Sequence, residues 1–84
     1  MKLNEIQLYK NIGTIQRSRD EDGKTFYFYT HNFFGVEHDS DTIKDAKEML
    51  DYYEADAQKI REALRVLKDN GYKVFKELAW QVRQ

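Results

Sequence analysis

The chain has 84 residues and a mass of 10.1 kDa, with 40% hydrophobic, 35% charged and 14% aromatic residues and a formal net charge of -1. This length suits one small domain, and the balanced charge argues against a general nucleic-acid-binding protein. The absence of cysteine excludes a disulfide scaffold, a cysteine-ligated zinc site and thiol catalysis. No apolar run approaches the roughly 18 residues of a membrane span, and no secretory signal opens the chain. We therefore expect a cytoplasmic α+β protein forming a single domain over residues 1–84.

Residues 1–38 are predicted to form a small antiparallel sheet. The segment Asp20–Gly23 has turn chemistry, because aspartate bonds to nearby backbone and glycine accepts a positive φ. It separates a strand at Gly13–Ser18 from a strand at Thr25–Thr30, whose residues have high β-propensity. A third strand is expected near Leu3–Tyr9, because a two-stranded hairpin alone is marginally stable in water. In that strand Ile6 and Leu8 would share a face.

The alternation of side chains along these strands predicts which aromatic residues face the core. A loop of two or four residues places Phe26 and Phe28 on the same face as Ile15. We therefore predict that these three residues pack against the helix and that Tyr27 and Tyr29 are more exposed. Core packing is preferred here to a platform on which single-stranded nucleic acid would stack.

Residues 39–84 are predicted to be helical. Apolar residues recur from Ile43 to Leu67 at alternating spacings of three and four, which is a heptad pattern. Each residue of Asp39–Thr42 is an N-cap candidate, and Asn70 with the following glycine is a stop signal. Beyond that stop we predict a short amphipathic helix, with a strand at Tyr72–Phe75 as the alternative.

The heptad seam is predicted to join two copies of the chain. A helix over Thr42–Asp69 is about 42 Å long, whereas a compact domain of this size is about 30 Å across. The helix should overhang its sheet, and an antiparallel homodimer would cover the overhang. The alternative is a helix broken near Asp51–Ala57 that folds back on itself. The predicted dimer seam consists of Leu50, Tyr53, Ala57, Ile60, Leu64 and Leu67.

Charge changes sign along the helical part. Residues 37–57 contain eight acidic residues and two lysines, whereas residues 58–84 contain seven basic and three acidic residues. The helix macrodipole accounts for such a gradient, and the functional alternative is an acidic face that docks on a basic protein or imitates nucleic-acid phosphate. This candidate protein-binding acidic face comprises Glu37, Asp41, Asp45, Glu48, Asp51 and Glu54.

No constellation typical of an enzyme occurs in the sequence. Neither serine lies in a nucleophile elbow, and the glycines are too far apart for a phosphate-binding loop. His31 and His38 could bind a metal with the nearby aspartates, but their spacing matches no known ligand pattern, so we interpret them as loop residues. We predict no catalytic residue, no metal and no cofactor.

The layout resembles that of small proteins carried by bacteriophages and mobile elements, some of which are anti-CRISPR or other anti-defence inhibitors. The resemblance lies in the Asp-Glu-Asp-Gly hairpin at 20–23, the aromatic strand at 25–30 and the stretch at 41–50. It implies a non-enzymatic protein that blocks a surface of a host protein in the host cytoplasm. The alternatives are a nucleic-acid accessory protein that uses the basic C-terminal third, and a structural dimerisation module.

Overall fold

The computed structural model describes residues 1–71, which form a four-stranded antiparallel sheet followed by one long helix. The sheet order follows the chain, so each strand pairs with its neighbours in sequence. This confirms the predicted α+β class and the order of sheet and helix. The predicted C-terminal helix, and the alternative strand at 72–75, lie outside the described residues. In chain order the elements are β1 (Ile6–Tyr9), β2 (Gly13–Arg19), β3 (Thr25–His31), β4 (Glu37–Ser40) and α1 (Ile43–Asp69).

Strand β4 was not predicted from the sequence. Its four residues are polar and include two acids, a composition that rarely forms strands. The strand forms because it pairs with β3, where His38 lies opposite Tyr29, and because the two rings stack with their centroids 5.5 Å apart. Tertiary pairing here overrides weak local propensity.

Ile15 packs inward as predicted, but the two faces of β3 are the reverse of the prediction. Ile15 lies opposite Tyr29, not opposite Phe28. Ile15 is fully buried and Tyr29 is 5% exposed, and both belong to the core beneath α1. Tyr27 packs against the same core, whereas Phe26 shares the opposite face with Phe28. The prediction that the two phenylalanines pack inward was wrong.

The length of one loop causes this reversal. The β2–β3 connection has five residues, Asp20–Lys24, because Arg19 pairs with Thr25. The Asp20 side chain accepts hydrogen bonds from the backbone N–H groups of Asp22, at 2.9 Å, and Lys24, at 2.8 Å. This local network stabilises a loop with an odd number of residues, and a one-residue change in register moves every side chain to the other face.

The core lies between the inner face of the sheet and the first half of α1. Ile15, Tyr29, Ala46 and Leu50 form its buried centre. The close approach of α1 depends on Gly13, where an added Cβ would lie 2.7 Å from Cδ2 of Leu50 and 2.6 Å from the carbonyl oxygen of residue 30.

Helix α1 is continuous over 27 residues, so the predicted alternative of a break near Asp51–Ala57 was wrong. Of the four N-cap candidates, Thr42 caps the helix, and its side chain accepts from the N–H of Asp45 at 3.0 Å. The helix ends at Asp69, with Asn70 as its C-cap and Gly71 following at a φ of 84°. At about 1.5 Å per residue, the 27 residues of α1 span about 40 Å, which is longer than the roughly 30 Å diameter of a compact domain of this size.

Candidate functional site

The face of the sheet that points away from α1, here called the outer face, exposes apolar side chains. Ile6 is 62% exposed and Leu8 is 70% exposed. Phe26 and Phe28 are partly exposed beside them, with ring centroids 4.8 Å apart in an edge-to-face arrangement. Within residues 1–71, no helix or strand covers this face. The strand registers assign ten residues to it: Ile6, Leu8, Thr14, Gln16, Ser18, Phe26, Phe28, Thr30, Glu37 and Asp39.

The outer face is apolar at one side and acidic at the other. Its charged members are Glu37 and Asp39, both on the edge strand β4, and none of the ten residues is basic. Beside them lies a shallow cleft of about 270 Å³, lined by Asp20, Lys24, Phe26, Asp39, Ser40 and Asp41. An exposed apolar patch with a polar rim is typical of an interaction site. These carboxylates would repel a phosphate backbone and would attract a cationic group.

Only part of the outer face was predicted from the sequence. The prediction that Ile6 and Leu8 share a face is confirmed by their pairing with Gln16 and Thr14. The two phenylalanines were assigned to the core, so the four apolar side chains were not recognised as one surface. The signal in the sequence that could have revealed this surface is the aspartate-rich loop between β2 and β3, because its length decides which aromatic residues of β3 face outward.

The structure does not bring the predicted acidic face together. Glu37 lies on β4 at one edge of the sheet. Asp51 lies near the opposite edge, where it accepts hydrogen bonds from Tyr9 Oη at 2.9 Å and Lys10 Nζ at 3.2 Å. These bonds, that of Tyr9 foremost, hold the pKa of Asp51 below its ordinary value.

The other members of the acidic face lie in separate surroundings. Asp41 forms a salt bridge of 3.5 Å with Lys24. Asp45 and Glu48 are exposed on α1. Because residues three apart on a helix are separated by about 60° around its axis, the acids from Asp45 to Glu54 wind around half of α1. Their role in binding a protein stays a prediction.

Glu54 is the centre of a partly buried hydrogen-bond cluster that links α1 to the loop after β3. His31, which is 2% exposed, directs Nε2 at Glu54 Oε1 over 2.8 Å. Its Nδ1 accepts from the backbone N–H of Phe33 at 3.1 Å. Arg61 and Gln58 each donate to Glu54 Oε2 at 3.2 Å, and the guanidinium of Arg61 lies 5.1 Å from the ring centroid of Phe33.

This cluster connects α1 to the end of β3 and to the loop that follows it. Because Nδ1 accepts a hydrogen bond, the proton of the neutral His31 ring lies on Nε2 and is donated to Glu54. Both ring nitrogens therefore take part in hydrogen bonds within the chain. Burial raises the pKa of Glu54, but the hydrogen bonds from His31 and Gln58, together with the charge of Arg61, outweigh burial and hold that pKa below its ordinary value.

The prediction that both histidines lie in loops was wrong, because His31 is the last residue of β3 and His38 lies on β4. His38 packs between two tyrosines. Its ring lies 5.5 Å from that of Tyr29 and 5.3 Å from that of Tyr53, centroid to centroid, in nearly parallel stacks. Burial, and then the neighbouring Tyr53 and Asp39, raise the pKa of Tyr29. Within residues 1–71, no three metal-binding side chains lie close enough together to hold an ion.

The predicted dimer seam divides into two parts. Leu50 and Ala57 are fully buried within their own chain, and Tyr53 packs against the core. Farther along α1, Ile60 and Leu64 are partly buried and Leu67 is 41% exposed. The first part of the seam thus packs within the chain, and the predicted helix-mediated dimer would depend on the second part.

Comparisons with known proteins give no family for this chain. No protein-family model, curated protein or solved structure matches it significantly. In the described part of the chain, α1 lacks the continuous apolar length that a membrane crossing requires.

Proposed function

We propose that this protein is a non-enzymatic protein-binding module and that the outer face is its binding surface. The observation that supports this proposal is the exposure of Ile6 and Leu8 beside the Phe26–Phe28 pair, on a sheet whose other face is covered by α1. Removing apolar surface from water contributes about 25 cal/mol per Å², so a partner that covers this face gains affinity directly from these four side chains. The role we propose is that of an inhibitor or regulator that blocks a surface of a host protein in the host cytoplasm, as the layout resemblance implies.

The charges favour a protein partner over a nucleic acid at this surface. Proteins that bind single strands combine stacked aromatic rings with a basic groove. The outer face has the rings, but its only charged members are Glu37 and Asp39. A partner with an apolar centre and a lysine or arginine at its edge matches both features.

The proposal is tested by affinity capture from a bacterial lysate with paired variants. The double variant Phe26→Thr/Phe28→Thr keeps residues that favour strands but removes both rings from the outer face. The matched control is Asp45→Lys/Glu48→Lys, which reverses two exposed acids of the predicted acidic face. We expect a specific partner to be captured by the parent chain and the control, and lost from the phenylalanine variant. Circular dichroism must show that both variants are folded.

Two outcomes contradict this assignment. Loss of the partner from the lysine variant alone would move the binding surface to the acidic residues of α1. Capture of nucleic acid, with an affinity that falls steeply as salt rises, would favour the nucleic-acid accessory protein. In that case the basic residues after position 58 become the candidates.

A further inference from the structure

Within residues 1–71, strand β1 lies at the edge of the sheet. The side of β1 that faces away from β2 has a defined hydrogen-bonding pattern. Asn4, at a φ of 64°, donates its N–H to the carbonyl of Arg17 at 2.7 Å, and Arg17 donates to the carbonyl of Glu5 at 3.2 Å. Two residues therefore lie opposite one, which is a β-bulge with a left-handed first residue. Hydrogen-bonded and non-hydrogen-bonded pairs alternate along an antiparallel ladder. Because Glu5 bonds to Arg17, the alternation makes Gln7 and Tyr9 the next residues of β1 whose backbone groups bond to β2.

It follows that the backbone N–H and C=O groups of Ile6 and Leu8 point to the free edge of β1. The same two residues carry the most exposed large aliphatic side chains of the described chain. No residue from Ile6 to Tyr9 is charged. Charges and proline are the usual means of preventing edge strands from pairing, and β1 has neither.

We propose that the β1 edge is a homodimer interface, where two copies pair antiparallel around a two-fold axis at Gln7. In this register Ile6 lies opposite Leu8 of the second copy, and Leu8 lies opposite Ile6 of the second copy. The N–H and C=O groups of Ile6 and Leu8 point to the second copy, so each Ile6–Leu8 pair exchanges two hydrogen bonds and the interface contains two such pairs. Every contact occurs twice, as a two-fold interface demands.

Charge complementarity supports a second copy of the chain as the occupant. Around Gln7, the sequence places Glu5 on one side and Lys10 on the other. Antiparallel pairing places Glu5 of each copy opposite Tyr9 of the other copy, one residue from its Lys10, at both ends of the paired strands. Lys10 Nζ already lies 3.2 Å from Asp51 Oδ1 in its own copy. In the dimer it would also attract the Glu5 carboxylate of the other copy. A parallel arrangement would instead place like charges side by side.

This interface also enlarges the outer face. A two-fold axis perpendicular to the sheet keeps both outer faces on the same side, so the four side chains of Ile6 and Leu8 form one central apolar strip. Each half is continued by the phenylalanine pair of its own copy. The proposal does not depend on the proposed function, because the dimer can form whether or not a partner binds.

Cross-linking tests the register. The chain has no cysteine, so Gln7→Cys introduces a single thiol at an exposed position on the predicted axis. Non-hydrogen-bonded cross-strand pairs have Cα atoms about 4.5 Å apart, within the roughly 4.4–6.8 Å that disulfides span. Mild oxidation should double the 10.1 kDa chain mass. The matched control, Gln16→Cys, places the thiol on β2, away from the edge, and should remain monomeric on a non-reducing gel.

Light scattering behind a sizing column tests the interface itself. We expect the parent chain to be dimeric and Leu8→Pro to halve the mass, because proline removes an N–H from the free edge without removing a bond to β2. Leu64→Asp, which changes the second part of the helix seam, should leave the dimer intact. A mass of 10.1 kDa for the parent at high concentration overturns the proposal, as does a dimer lost in Leu64→Asp and kept in Leu8→Pro. Cross-linking at Gln16 equal to that at Gln7 also overturns it.

Discussion

Replacing Tyr29 by alanine tests the observed faces of the sheet. The Tyr29 side chain is 5% exposed, packs with Ile15 and Leu50 and stacks on His38. An aromatic side chain buries roughly 150–250 Å², which at about 25 cal/mol per Å² corresponds to about 4–6 kcal/mol. This is an upper estimate, because the unfolded chain is not fully extended. Since measured losses for large aromatic residues are about 3–5 kcal/mol, we expect Tyr29→Ala to lower the free energy of unfolding by that amount.

Phe28→Ala is the matched comparison, one residue away on the same strand. Its ring lies on the outer face and is already partly exposed, so we expect a loss of about 1–2 kcal/mol. Urea titrations of both variants, followed by circular dichroism at one protein concentration, give the two losses if the slopes agree. Equal losses, or a larger loss for Phe28→Ala, would refute the observed register and restore the faces predicted from an even-numbered loop.

Three further substitutions test the packing and the hydrogen bonds. Gly13→Ala should destabilise the protein by about 1–3 kcal/mol in the same titration, because its Cβ would lie 2.7 Å from Leu50 Cδ2; an unchanged midpoint would show that α1 is farther from β2. Thr42→Ala should cost about 1 kcal/mol through loss of the N-cap, and no loss would mean that another residue caps α1. Glu54→Gln should be less stable than the parent at neutral pH, because a charged acceptor strengthens the bonds from His31 and Arg61. The pKa of Glu54 is lower in the folded protein than its ordinary value of 4.5. The carboxylate therefore stabilises the fold fully above pH 4.5, and this stabilisation is lost as the pH falls through the folded pKa. A difference in the free energy of unfolding between Glu54→Gln and the parent that stays constant from neutral pH to pH 3 would contradict this.

The amino-acid sequence alone determined the features that depend on neighbours along the chain. The bounds of α1 follow from the capping threonine, the apolar spacing from Ile43 and the Asn70–Gly71 stop, all of which act within a few residues. The positions of β2 and β3 follow from their composition and from the turn residues between them. The uninterrupted helix follows from the absence of glycine and proline within it.

Features that depend on distant parts of the chain were decided only by the tertiary structure. Strand β4 forms because β3 offers it a partner, and half of the heptad seam packs against the sheet, with Leu50 buried in the core. The candidate surface was half predictable: Ile6 and Leu8 were expected to share a face, but the position of the phenylalanines was not foreseen.

The physical reason is that the side-chain period of a strand is two residues. A loop of four residues and a loop of five have nearly the same composition, yet they turn opposite faces of β3 toward the helix. The side chain of Asp20, which bonds to Lys24, stabilises the longer loop. The same register is favoured by the packing of Tyr29 against Ile15 and Leu50 in the core, which leaves Phe28 on the outer face.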